Sequence, residues 1–184
     1  EWFHEWGLGF KRQRRKLLAQ AHGRVLDVAC GTGENFEHYT YAQEVIATDL
    51  SVGMLSLAQE RLNELNINKI TLQQMDAQQL TFADNSFNTV VSAMSTCTFP
   101  DPLAALKEMQ RVVKPSGRIL LFEHGRSRWE WFGRFQDRRA DKHYSMAGCR
   151  WNQEPADLVR EAGLTIEKKG TTFAGVFTTM VVRP

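Results

Sequence analysis

The stretch Val25-Leu26-Asp27-Val28-Ala29-Cys30-Gly31-Thr32-Gly33 decides how the rest of this 184-residue chain is read. Residues 24–29 form a short apolar run of strand length, and the small residues after it form a glycine turn that should lead into a helix. Working outward, a second strand is predicted at residues 44–49. Ser51 then caps a helix running through Leu65, with Met54, Ala58, Leu62 and Leu65 on one face. Further strands are predicted at 70–75, 87–94 and 118–123. Between the last two, Pro100-Asp101-Pro102 opens a helix with a stripe of Leu103, Leu106 and Val113, and Pro115-Ser116-Gly117 stops it. Asn152 is the expected cap of another helix, with Pro155 in its first turn and Gly163 at its end. Residues 164–169 and 176–182 read as a closing hairpin. Alternating β and α segments imply an α/β fold, a parallel sheet with helices on both faces and right-handed crossovers. The hairpin forces one antiparallel strand onto that sheet.

Apolar residues make up 42% of the chain and charged residues 24%, which excludes disorder. The net charge of +2 gives no argument for nucleic acid, and none is expected as a partner. No apolar run approaches the roughly 20 residues of a transmembrane helix. Cys30, Cys97 and Cys149 show no metal-ligand spacing, so no metal is expected; Cys97 and Cys149 read as small packing residues, and a reduced, cytoplasmic compartment is expected. Charge distribution says more than net charge. Residues 1–20 carry a local +3 and residues 124–151 a local +4, and all five tryptophans (Trp2, Trp6, Trp129, Trp131, Trp151) fall in those two segments.

The glycine turn lets a ligand approach the backbone, but it lacks the third glycine of a dinucleotide site. Asp27, within the strand, would oppose a pyrophosphate and suits a cationic ligand better. Asp49, ending the second strand, is placed to accept both hydroxyls of a ribose, and Asp76, ending the third, to accept from an adenine amino group. Three acids at three successive strand ends describe a positively charged nucleoside.

With Met75-Asp76-Ala77, Phe87-Asn88-Thr89-Val90-Val91 and Arg111-Val112-Val113-Lys114-Pro115-Ser116-Gly117, the chain over residues 24–123 resembles class I S-adenosylmethionine-dependent methyltransferases of the ubiquinone/menaquinone-biosynthesis type. Ala29 departs from the glycine usual in that family. The resemblance implies a Rossmann-like, seven-stranded, mostly parallel sheet in one domain over residues 1–184. It also implies S-adenosyl-L-methionine as cofactor and S-adenosylhomocysteine as product. Asp27 and Ala29 would then neighbour the methionine moiety, and Gly31 and Gly33 would pack beneath the cofactor. Asp49 would hold the ribose, with Leu50 and Met54 flanking the adenosine. Asp76 and Ala77 would meet the adenine, and Ser92 and Ala93 would line the approach to the sulfonium.

A narrower stretch, Gly31-Thr32-Gly33-Glu34-Asn35-Phe36 with Tyr39, Phe122-Glu123-His124 and Gly148-Cys149, is similar to the membrane-associated thiol methyltransferase-like family. It implies a small lipophilic thiol as acceptor. Quinone-type and phospholipid-headgroup methylation are the alternatives, and a non-catalytic S-adenosylmethionine-binding module is the alternative of another class.

His124, just after the fifth strand, is the first choice for a base or acceptor-orienting group, with His143 and Tyr144 second. The competing reading makes His124 a strand-end residue bonded to neighbouring backbone. Residues 125–151 are too long for an ordinary connection. Together with the amphipathic residues 1–20 (Trp2, Phe3, Trp6, Leu8, Phe10), they are expected to form a Trp/Arg-rich, apolar-lined cap over the acceptor site and to touch an anionic membrane surface. A small-molecule acceptor and that surface are the expected partners.

Overall fold

Side chains of the strand that opens the glycine turn alternate between two cores. In β1 (His22–Val28), Leu26 and Val28 enter one core while Val25 enters the other. That alternation is what a sheet covered on both faces requires. The computed structural model describes the backbone from residue 2 and side chains from residue 9. Trp2, Phe3, Trp6 and Leu8 therefore lie outside the described side chains.

The remaining strands are β2 (Tyr41–Asp49), β3 (Ile70–Gln74), β4 (Phe87–Ala93), β5 (Val113–His124), β6 (Thr165–Thr172) and β7 (Phe177–Arg183). They form one seven-stranded sheet in the order β3-β2-β1-β4-β5-β7-β6. The five strands from β3 to β5 pair in parallel, and β7 runs antiparallel to both β5 and β6. The fold is the expected Rossmann-like sheet closed by a hairpin. One face is covered by α3 (Pro102–Val112) and α5 (Pro155–Glu161), through Leu106, Met109, Ala156 and Val159. The other is covered by α1 (Trp2–Leu18) and α2 (Val52–Leu65), through Leu17, Leu18, Ala58 and Leu62. α4 (Glu130–Ala147) follows β5, with only Gly133 and Gln136 buried.

The local signals held where a side chain caps a helix. The Ser51 hydroxyl accepts from Met54 N, and the Asp101 carboxylate accepts from Ala104 N. They failed in three places. No α-helix follows the glycine turn: residues 31–35 stay in turns and a single 3-10 turn, Phe36–His38, follows. Asn35 there turns its amide to Asp27, and Phe36 and Tyr39 are buried as a plug on the α1/α2 face. Secondly, α3 ends at Val112, and Pro115-Ser116-Gly117 lies inside β5, where the pairing with β4 shifts register. Thirdly, α5 begins after Glu154, and the Asn152 amide donates to Asp137 instead of capping it.

Candidate active site

The sheet order reverses between β1 and β4, so a crevice opens beyond the carboxyl ends of those strands, where Val28 pairs with Ser92. Ala29 leaves β1 at φ +53°, a left-handed conformation that alanine adopts at a cost of about 1–2 kcal/mol. Gly31 follows at φ +57°, and a side chain built there would meet no atom within 4 Å, so the turn presents bare backbone to open space. Gly33 is packed differently: a Cβ would strike the ring of Phe36, which explains its identity without any ligand.

Asp49 faces this turn. One carboxylate oxygen accepts from Gly31 N at 2.9 Å and the other from Ser51 N at 2.9 Å. A carboxylate offers about four lone-pair sites, so two remain for a pair of ribose hydroxyls. Asp49 and Asp76 line a cavity of about 160 Å³ together with Ala29, Leu50, Ala77 and Phe99. Asp76 already accepts from Gln78 N at 2.8 Å and from the Gln78 amide, in a turn of its own, and keeps capacity for one donor more. Leu50 is 63% exposed although it borders the cavity, an apolar wall awaiting a flat ring. Met54 is 43% exposed on α2 and does not border it. These acceptors and walls fit an adenosine. Larger clefts lie beside α1, one of about 840 Å³ among Arg12, Arg14, Arg15 and Arg61, but they hold none of the three strand-end acids.

Asp27 is fully buried beneath the turn. It accepts from the Asn35 amide at 3.0 and 3.2 Å, and Asn35 in turn accepts from Arg14 Nε at 2.9 Å. Burial pushes its pKa up to about 6, against the pull of Tyr39, Asn35 and the Arg14 charge. Asp27 therefore acts on the turn from below, through Asn35, instead of lying alongside a ligand. Ser92 is a second correction of the same kind. It is the penultimate residue of β4, fully buried, with its hydroxyl 2.6 Å from Ser95 Oγ and donating to Glu123 at 2.8 Å, so it lines no approach. Ala93 is half-buried at the strand end.

Sequence reasoning gave Glu123, Asn35 and Arg14 no role. Glu123 is fully buried and accepts from Ser92 Oγ, Ser95 N and Thr96 N, with its pKa raised to about 7 by burial. The stretch Phe122-Glu123-His124 is part of a motif resemblance, but the buried role of Glu123 is not readable from it, because its partners come from β4 and the loop after it.

His124 bonds neither backbone nor open space. Its Nε2 lies 3.1 Å from Cys97 Sγ and 3.1 Å from Cys149 Sγ. Burial and the nearby His143 charge lower its pKa, so the ring is neutral at pH 7. Burial also pushes both thiols up, which leaves the sulfurs protonated. The cysteines read as packing residues in sequence thus converge on the histidine chosen as base. His143 lies 4.3 Å from the Trp151 ring in a parallel stack, with Nδ1 2.9 Å from the Cys149 carbonyl. Tyr144 is exposed beneath the Arg150 guanidinium. Both support the segment that carries Cys149.

Among the described residues, the aromatic row of α4 faces outward. Trp129 is 60% and Trp131 70% exposed, with Phe135 and Met146 also outward. The helix is held by its opposite side, where the Gln136 side chain bonds Gly125 O, Ser127 N and Trp151 O, and Gly133 leaves room for Arg126. Backbone polar groups, which must be satisfied, claim the inner face of α4, and Trp2 and Trp6 of the expected cap lie outside the described side chains. Among the described residues, no helix is long and apolar enough to cross a membrane.

A fold with acids at three strand ends and a bare glycine turn is that of a nucleoside-dependent group-transfer domain, and the comparisons agree. Residues 26–121 match the model of the "Methyltransferase domain" family. The chain belongs to that family, as a class I S-adenosylmethionine-dependent methyltransferase, and S-adenosylmethionine is its cofactor. A mitochondrial methyltransferase of Saccharomyces cerevisiae is 26% identical over 182 residues, covering 89% of this chain and 39% of that protein. The ubiquinone/menaquinone biosynthesis C-methyltransferase of Bdellovibrio bacteriovorus is 36% identical over 127 residues, 65% of this chain and 54% of that one. A phosphatidylethanolamine N-methyltransferase of Cereibacter sphaeroides is 35% identical over 115 residues, 60% of this chain and 57% of that one. The chain spans 39–57% of the length of these three relatives. In fold, it is similar to a SAM-dependent methyltransferase from Aquifex aeolicus, with a TM-score of 0.69 at 16% identity over 95% of this chain and 89% of that one. A geranyl diphosphate methyltransferase superposes with a TM-score of 0.73 at 13% identity, over 93% and 83%.

Proposed function

We propose that this chain transfers the methyl group of S-adenosylmethionine to a small, lipophilic acceptor by direct in-line displacement. The observation that carries the reading is Asp49, whose two oxygens are fixed by Gly31 N and Ser51 N while it borders the apolar-walled cavity. When bound, the cofactor supplies a sulfonium-activated methyl carbon, whose bond to sulfur breaks as the acceptor's lone pair bonds to it. The chain's own part is alignment. Asp49 holds the ribose and Asp76 the adenine edge. Ala29 and Gly31 admit the ligand to the backbone, and the ionised Asp27 below favours a cation. His124, neutral at pH 7, is available to hold an acceptor proton.

A small thiol is the first acceptor to test, on the resemblance at Phe122-Glu123-His124 and Gly148-Cys149. A quinone ring carbon and a phospholipid amine are the alternatives, and they are the chemistries in the names of two relatives. The assay is transfer of a labelled methyl group from S-adenosylmethionine to each acceptor in turn, followed by extraction into an organic phase. Label in the organic phase supports the reading. Cofactor binding without any turnover leaves a non-catalytic binding module.

A lipophilic acceptor has to be fetched from somewhere, and the exposed face of α4 bears on that. Trp129, Trp131 and Phe135 stand outward on the segment that also carries Arg134, Arg138 and Arg139, the composition of a helix at an anionic lipid surface. We assign α4 this docking role. Co-sedimentation with vesicles should rise with anionic lipid and fall with salt, and should weaken when the three arginines become Gln. Binding indifferent to lipid charge overturns it.

A further inference from the structure

We infer that Cys97, His124 and Cys149 form a binding site for a zinc-type divalent ion, with three ligands among the described residues. The three residues come from three separate segments: the turn after β4, the end of β5 and the loop after α4. Their ligand atoms nevertheless lie within 4.8 Å of one another. In a tetrahedral zinc site, bond lengths of about 2.3 Å to sulfur and 2.0–2.1 Å to nitrogen put neighbouring ligands roughly 3.6–3.8 Å apart. The histidine-to-sulfur separations of 3.1 Å need to widen by only about half an ångström to admit the ion, within the reach of small side-chain rotations.

The donor set argues for the same conclusion. Two thiols and one imidazole nitrogen are the ligands of a borderline-soft metal, and a hydrogen bond would need only one sulfur at that nitrogen. Three protein ligands, the number found among the described residues, are the pattern of sites that exchange a water or a substrate atom at a fourth position. Access fits as well: Cys97 is buried, while His124 and Cys149 are half-buried, so the cluster opens outward on one side.

The surrounding bonds hold the ligands in place before any ion arrives. Glu123 accepts from Ser95 N and Thr96 N and so fixes the turn that carries Cys97. Arg150 N donates to the Cys97 carbonyl at 2.9 Å, tying the Cys149 loop to that turn. His143 Nδ1 sits 2.9 Å from the Cys149 carbonyl, and the ring is stacked on Trp151. Outer partners of this kind orient ligands and are themselves part of a metal site. Ion binding would displace the two thiol protons to solvent and leave both sulfurs as thiolates.

The test uses the full chain, reduced, stripped with a chelator and shown to hold three reactive thiols. Zn²⁺ is titrated against a chromophoric chelator, and Co²⁺ is used as a spectroscopic stand-in. One ion per chain is expected, with thiolate-to-cobalt charge-transfer bands and the intense visible bands of a tetrahedral site. Cys149→Ser and His124→Ala should each weaken Zn²⁺ binding by more than the roughly 10–100-fold typical of losing an outer partner. Unchanged S-adenosylhomocysteine binding shows that each variant is folded, and because Cys149 is half-buried its serine variant keeps the test usable if the buried Cys97 variant misfolds. Equal Zn²⁺ affinity in the wild type and Cys149→Ser, or cobalt bands without thiolate charge transfer, overturns the site. So does loss of two thiols to a Cys97–Cys149 disulfide as fast with Zn²⁺ present as without. None of these readouts depends on methyl transfer.

Discussion

Replacing Asp49 by Ala separates two jobs that its carboxylate performs at once. On the ligand side it leaves two ribose hydroxyls without their charged acceptor. Bonds to an ionised group contribute about 1.5–3 kcal/mol, so S-adenosylhomocysteine affinity should fall roughly 10–150-fold. On the protein side it also removes the acceptors of Gly31 N and Ser51 N, each at 2.9 Å. Gly31 N then loses one of the bonds that hold the glycine turn against β2, the Cys30 N to Thr48 O bond remaining, while Ser51 N is exposed enough for water to replace its partner. A stability loss of about 1–2 kcal/mol is therefore expected, less than two buried charge-assisted bonds because Asp49 is only half-buried. Asp49→Asn is the informative companion: its single carbonyl oxygen can serve one of the two backbone donors but not both. Calorimetric titration with S-adenosylhomocysteine reads the first effect and urea unfolding the second. An affinity within about threefold of wild type, in a variant that is folded at the assay temperature, refutes the placement of the ribose at Asp49.

Asp27 should make the ligand-free chain lose stability as pH rises. Its folded pKa of about 6 lies above the ordinary 3.8, so the folded state binds the extra proton, and the benefit is full below pH 3.8 and gone above about 6. Asp27 should contribute a fall in urea midpoint worth roughly 3 kcal/mol across that window. Asp27→Asn should remove that part of the slope while leaving the part due to Glu123, whose pKa burial raises to about 7; an unchanged slope in the variant assigns all of it to other groups. Ala29→Gly should stabilise the chain by about 0.5–1 kcal/mol, since relief of the left-handed strain at φ +53° exceeds the entropy that glycine adds to the unfolded state. A lower urea midpoint in that variant contradicts this. In the metal-free chain, where Nε2 keeps its lone pair, His124→Ala should slow methyl transfer by ~10²–10⁴-fold with cofactor affinity unchanged, as removal of a general base does, and a loss under about fivefold removes His124 from the chemistry.

The succession of strands and helices and the positions of the strand-end acids were legible in the sequence because both are local. A strand's apolar run, the turn residues at its end and an acid two or three positions away occupy consecutive positions, and their spacing survives folding. Asp49 and Asp76 could be placed from the ends of their own strands, and the helix at Ser51 from its own cap. The absent helix after Gly33 was not legible, because the competing partner of Asn35 is Asp27 across the turn, and the 3-10 turn it leaves is closed by burial of Phe36 and Tyr39. Ser92 shows the same limit: its position at the end of β4 was readable, but Glu123, which takes its hydroxyl, lies on a neighbouring strand 31 residues later.

What the sequence by itself determined, then, is the alternation of elements, the glycine turn and the acids at three strand ends, since each follows from neighbours along the chain. Only the tertiary structure decided which side of α4 turns outward and which side chains meet His124. The pairing of β4, β5 and β7 carries Cys97 and His124 to one edge, and α4 returns Cys149 beside them, across separations of 27 and 25 residues. No spacing rule covers such distances. Side chains that far apart meet only because the sheet fixes where the strands end, and the packing of α4 through Gln136 fixes where the chain comes back.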